Sequence, residues 1–229
     1  MVFLRVKLAI LLSFIGFLSY GQGNTYLLSG GNVFLPDFSG LNRQIKGIYP
    51  ELDNIVLDYT LGFKVISSKL NIGLYGTYSI IPGEKRRQKQ TKFTGMGLGL
   101  IYEYNIISKP SFLFHPHLNV GIRKYNLILG ETSHGVSIED VLNYEINNYK
   151  FDNFGEYIEL GIGVEKVISS SPDKMLLEFS LGYRFDWGAW KYESINPVYH
   201  ELARLSGIVA SVRLNVGHTK PKTKLDKHK

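Results

Sequence analysis

Residues 54–66 read N-I-V-L-D-Y-T-L-G-F-K-V-I, followed by S-S-K at 67–69 and L-N-I-G-L-Y-G-T-Y-S-I-I at 70–81. Leu57, Tyr59, Leu61, Phe63 and Val65 take alternate positions of the first run, with Val56, Asp58, Thr60, Gly62 and Lys64 between them. In the second run Leu70, Ile72, Leu74, Tyr78 and Ile80 alternate with Asn71, Gly73, Tyr75, Thr77 and Ser79. Period-two patterning broken by a short polar turn predicts a β-hairpin. Strands of about a dozen residues exceed the ~5–6 usual in soluble sheets and suit the ~9–11 tilted residues that cross a bilayer. One face is apolar and aromatic, the other small, polar or charged. That is how a membrane barrel wall reads, with lipid outside and a polar lumen inside.

Six further stretches carry the same alternation, at 24–35, 92–107, 112–125, 156–168, 174–187 and 205–217. The clearest is 174–187, which sets Met175, Leu177, Phe179, Leu181, Tyr183, Phe185 and Trp187 against Glu178, Ser180, Gly182, Arg184 and Asp186. Gly30-Gly31 blurs the first stretch and predicts a bulge there. Alternate glycines at 95, 97 and 99 predict an inner wall pressed by large side chains from across the lumen. Pro116 falls on the outward set of its stretch, where only a bulge accommodates it. Connections alternate long and short, with long ones at 36–53, 82–91, 127–153 and 188–204 and a helical turn expected at 138–144. The reading is an eight-stranded antiparallel up-and-down transmembrane β-barrel with short periplasmic turns and long extracellular loops. An even strand number closes the sheet and leaves no bare edge in lipid. A lipocalin-like soluble barrel would turn its apolar face inward instead.

The termini are read apart from the barrel. Arg5 and Lys7 precede an apolar run at 8–18, and Ser19-Tyr20-Gly21 offers small residues for cleavage. Residues 1–21 are therefore expected to be a cleaved signal peptide, 22–217 the barrel, and 218–229 a disordered Lys-rich tail. The net charge of +6 divides accordingly: two positive charges belong to the signal and four to the tail, leaving the barrel nearly neutral. No nucleic-acid partner is implied. With no cysteine, disulfides, thiolate metal sites and cysteine nucleophiles are excluded. The 15 Tyr, 13 Phe and 24 Gly suit aromatic girdles and close strand packing.

On this register the lumen holds Asp58, Glu103, Glu159, Glu165, Glu178 and Asp186 against Lys64, Arg123, Arg184 and Arg213, joined by His115 and His117. An eight-stranded barrel is only wide enough for side chains to fill it, and buried charges have to be paired. These twelve residues are expected to form a structural salt-bridge network that plugs the barrel. Three sharper readings compete with that one. His115-Pro116-His117 could bind a transition metal with luminal carboxylates, though spacing identifies no third ligand. Ser133-His134, with Glu131 or Glu139 nearby, could be half of a hydrolase triad acting on lipid A. The cluster Lys85, Arg86, Arg87 and Lys89 could meet lipopolysaccharide phosphates, or simply be a solvated loop. The expectation is no catalytic, cofactor-binding or metal site.

The S-Y-G-Q junction at 19–22, G-M-G-L-G-L-I-Y-E-Y at 95–104 and L-E-F-S-L-G-Y-R-F at 177–185 carry a resemblance to small outer-membrane barrels of the OmpX and OmpA-barrel type. They also look like PorT-like barrel proteins of Bacteroidetes, some of which are secretion-associated. The resemblance spans about 24–217. It departs in two places: a Lys-rich tail stands where a terminal aromatic residue usually ends the last strand, and no peptidoglycan-binding domain is present. What it implies is a non-enzymatic component of a Gram-negative outer membrane. The partners would be outer-membrane lipid and lipopolysaccharide, and possible envelope or secretion-machinery proteins. A lipid A-modifying enzyme and a small channel are the alternatives.

Overall fold

The computed structural model describes residues 24–86, 89–131, 149–169, 173–192, 195–199 and 204–218. Eight long strands form the wall: β1 (Asn24–Asp37), β2 (Val56–Ile66), β3 (Leu70–Arg86), β4 (Lys89–Tyr104), β6 (Phe112–Glu131), β7 (Tyr149–Ser169), β8 (Asp173–Asp186) and β11 (Arg204–His218). Three short strands, β5 (Ile107–Lys109), β9 (Ala189–Tyr192) and β10 (Ile195–Tyr199), lie beside them, and one helix, α1 (Ser39–Ile45), follows β1. Each wall strand pairs antiparallel with its neighbours in the chain, and β1 pairs with β11 from Tyr26↔Gly217 to Asp37↔Arg204. The sheet therefore closes on itself with eight strands.

The polarity of the wall is inside out. Along β2, Tyr59, Leu61 and Phe63 are 58%, 61% and 53% exposed, while Asp58, Thr60 and Lys64 on the alternate positions are 1%, 3% and 0% exposed. The same alternation runs round the barrel, from Leu160 and Ile162 on β7 to Leu181 and Tyr183 on β8. An apolar belt this continuous matches hydrocarbon rather than water.

Several expectations change in detail. Gly30 and Gly31 sit in unbroken register with β2 and β11, and the irregularity comes later, between Pro36 and Asp37. The glycine is needed at position 30 for closeness: a Cβ there would meet the Val212 carbonyl and lie 2.7 Å from Arg213 Cα. The glycines of β4 are covered mainly from the adjacent strands β3 and β6, and Gly99 also by Tyr157 of β7, two strands away. Tyr125 lies over Gly95, Arg123 over Gly97, and Tyr75 with Tyr157 over Gly99. A bulge does accompany Pro116, but on the facing strand. The ladder from β4 ends at Glu103↔His117 and resumes on β5 at Ile107↔Phe114, so three residues oppose two. Proline's missing donor falls where that ladder is interrupted.

The long connections hold more structure than their polarity suggested. β3 and β4 continue past the belt as a ribbon, Glu84↔Thr91 to Arg86↔Lys89, beyond an irregularity after Ile81. β6 and β7 likewise extend to Leu129↔Tyr149. β9 continues the line of β8 against β7 in the same register, pairing Phe154↔Ala189 after Tyr157↔Asp186. Hydrophobic alternation reports the bilayer, so strand beyond the bilayer escapes it. The helical turn expected at 138–144, the signal segment and residues 219–229 lie outside the described residues.

Candidate functional site

The inner face is layered. At the end where β2 turns into β3 through 67–69, Tyr26, Ile66, Leu113 and Leu176 pack together. Leu28, Tyr75, Ile101 and Tyr157 form a second apolar group, with the Tyr75 and Tyr157 hydroxyls 2.6 Å apart. The opposite mouth is filled by a larger cluster that includes Phe34, Phe38, Leu41, Ile45, Phe93, Tyr125, Trp190 and Val209. Phe93 is its centre, with ring centroids 5.4 Å from Phe38 and 5.1 Å from Tyr125. α1 supplies Leu41 and Ile45 from above. Asn42 ties the helix to the returning chain: its Nδ2 donates to the Leu52 carbonyl at 2.8 Å, and its Oδ1 accepts from the Leu52 N–H at 2.9 Å.

The charges form two ion clusters. In the first, Lys64 Nζ contacts Glu165, Glu103 Oε2 at 3.2 Å and Glu178 Oε2 at 2.9 Å, all fully buried. Arg213 NH1 donates to Glu178 Oε1 at 2.9 Å. Asn71 and Asn215 donate to Glu103 Oε2 and Glu178 Oε2 at 2.9 and 3.2 Å. In the second, Asp58 Oδ2 receives Arg123 NH1 at 3.2 Å and Arg184 NH1 at 3.3 Å. Arg184 Nε and NH2 fork onto Glu159 Oε2 at 3.1 and 2.8 Å, and Asn119 Nδ2 donates to Glu159 Oε1 at 2.7 Å. The Arg123 guanidinium lies over the Tyr157 ring and that of Arg184 over Phe34, each 4.5 Å from the centroid. The charged side chains come from six strands, because parity alone turns each one inward.

Eleven of the twelve residues read from the sequence as luminal charges join these clusters or lie against them. His115 Nε2 stands 3.7 Å from Glu165 Oε1, and His117 Nε2 stands 3.5 Å from Glu159 Oε1. Asp186 is the exception. It sits where β8 gives way to β9, its Oδ1 accepting from the Gly188 N–H at 3.0 Å, and it makes no ion pair among the described residues. The sequence reading put Asn71 and Tyr75 on the inner face by the same parity but gave the asparagines and tyrosines no part in the network.

A metal reading is testable on this geometry. Glu103, His115 and Glu165 offer ligand atoms within 4.8 Å of one another. The Lys64 ammonium already contacts both carboxylates, so a divalent ion there would face an adjacent positive charge. The site is built around a lysine. Ser133, His134 and Glu139 lie outside the described residues, and Glu131 is the last residue of β6.

The class that this fold and interior define is an integral membrane β-barrel. No family model and no curated protein matches the chain. Among solved structures it is similar to the attachment invasion locus protein Ail of Yersinia pestis, at 11% identity over 86% of this chain and 98% of that one, with a TM-score of 0.46. It is also similar to Neisserial surface protein A, at 11% identity over 86% and 97%, TM-score 0.44. A major outer-membrane protein of Thermus thermophilus gives 8% identity over 85% and 98%, TM-score 0.46. The barrel assignment rests on this chain's own strand pairing.

Proposed function

We propose that the chain is a non-enzymatic integral protein of a Gram-negative outer membrane, with a plugged lumen and its working surfaces outside the barrel. The observation that carries this reading is the interior: two ion clusters and three apolar layers fill the space that a conduit would need. Unpairing such buried charges to open a path would cost several kcal/mol. Function then belongs to the extended strands and connections at the α1 end, which we place outside the cell. They would contact another envelope component, secretion machinery being one candidate.

The purified barrel in a planar bilayer is expected to give no unitary conductance. Tagged in a connection and extracted from outer membranes in mild detergent, it is expected to bring a stoichiometric envelope protein with it. Steady unitary currents would remove the plugged reading in favour of a channel. A lone barrel, together with an altered lipid A mass when the gene is deleted, would replace the interaction reading with an enzymatic one.

A further inference from the structure

Lysines crowd one sector of the outer wall. On the outward face at the α1 end, the ladders align Lys92 with Ile128 and Lys150, then Thr94 with Asn126, Asp152 and Lys191, then Met96 with Lys124, Phe154 and Ala189. Four lysines thus share a block of three rows on the adjacent strands β4, β6, β7 and β9. At ~4.8 Å between strands and ~3.4 Å per residue, the block is about 14 Å on a side. Lys92, Lys124 and Lys191 are exposed and Lys150 is half-buried. Asp152 accepts from Lys124 at 3.2 Å, and Glu156 lies one row below, so the described residues of the sector keep a net positive charge. Beneath it the apolar belt resumes with Met96, Leu98, Phe154 and Trp187, the last three 58%, 62% and 61% exposed. On the other half of the wall the corresponding outward positions include Ser206, Ile208, Leu35, Leu57 and Ile80, and the ladder sets Arg204 opposite Asp37.

We infer that this sector is a docking surface for a phosphorylated glycolipid of the outer leaflet. The four ammonium groups would meet phosphates on a sugar head group, and Met96, Phe154 and Trp187 would lie along the acyl chains. The inference rests on the outer-membrane reading above. Lysines just beyond an apolar belt sit where lipid phosphates lie, and aromatic side chains at the same boundary fix the depth. Clustering on one half of the barrel makes this a site for one lipid, where an even ring would only mark the interface. Asp152 holds Lys124 and, facing Lys191 in the ladder, spaces the cations apart.

The test is native mass spectrometry of the detergent-solubilised barrel with bis-phosphoryl lipid A, monophosphoryl lipid A, phosphatidylcholine or inorganic phosphate added. One bis-phosphoryl lipid A is expected to stay bound, the monophosphoryl form more weakly, and neither phosphatidylcholine nor free phosphate. Losing one lysine beside an anionic head group should weaken retention about fivefold. The variant K92Q/K124Q/K150Q/K191Q is expected to lose at least tenfold, while Lys166→Gln, outward at the other end of β7, should change nothing. Equal retention by the wild type and the fourfold variant would overturn the inference, as would phosphatidylcholine held as firmly as lipid A. Insertion of both proteins into vesicles, read by protease protection, separates the two levels: a barrel that inserts but ignores lipid A sinks the docking surface alone. One that does not insert sinks the membrane reading and the docking surface with it.

Discussion

Lys64 is the residue on which the first ion cluster depends. Its ammonium faces Glu103, Glu165 and Glu178 at once, and of the described cations only Arg213 shares the load, through Glu178. Lys64→Met leaves three buried carboxylates around a methyl group, and breaking a buried network from one side costs about 3–5 kcal/mol. Urea unfolding of the barrel in lipid vesicles should show that loss, and Lys64→Met combined with Glu165→Gln should recover part of it. No change in the single variant would mean the cluster is solvated. Gly99 is a second decisive position. A Cβ there would meet the Tyr157 hydroxyl and lie 2.6 Å from Tyr75 Cζ. Gly99→Ala should therefore destabilise by about 1–3 kcal/mol, read in the same titration. The charges were legible because strand parity turns Asp58, Lys64 and Glu178 inward whatever the rest of the fold does. Their partners were not: which carboxylate meets Lys64 depends on barrel shear, which no local pattern records.

At the scale of elements, the wall strands were legible and their ends were not. Residues 54–81 alternate because one face meets lipid, and the strands end in the sequence where that contact ends. The ribbon from Glu84↔Thr91 onward is polar on both faces and reads as a loop. α1 was missed for a related reason: in seven residues it buries only Leu41 and Ile45, too short a stripe to show a helical period. The helix keeps its place over the mouth through Asn42, whose side chain makes both hydrogen bonds to Leu52. Asn42→Ala leaves the Leu52 N–H and carbonyl without those partners, and a loss of about 1–3 kcal/mol is expected. Faster proteolysis within 46–53, with the barrel itself still folded, would be the sign of it. Unchanged cleavage would show that Leu41 and Ile45 anchor the helix unaided.

At the scale of the molecule, the account is an inversion of a soluble protein: ions inside, aromatics and aliphatics outside, and a closed sheet so that no backbone group meets lipid unpaired. The absence of cysteine makes that inversion directly measurable. Spin labels on single cysteines at 57, 59, 60, 61 and 63 of β2, in vesicles, would report collision with oxygen dissolved in lipid. Oxygen should reach labels at 57, 59, 61 and 63 freely, while the one at 60 should be shielded and immobile. The opposite phase, or no alternation at all, would contradict a barrel with its apolar face in the bilayer.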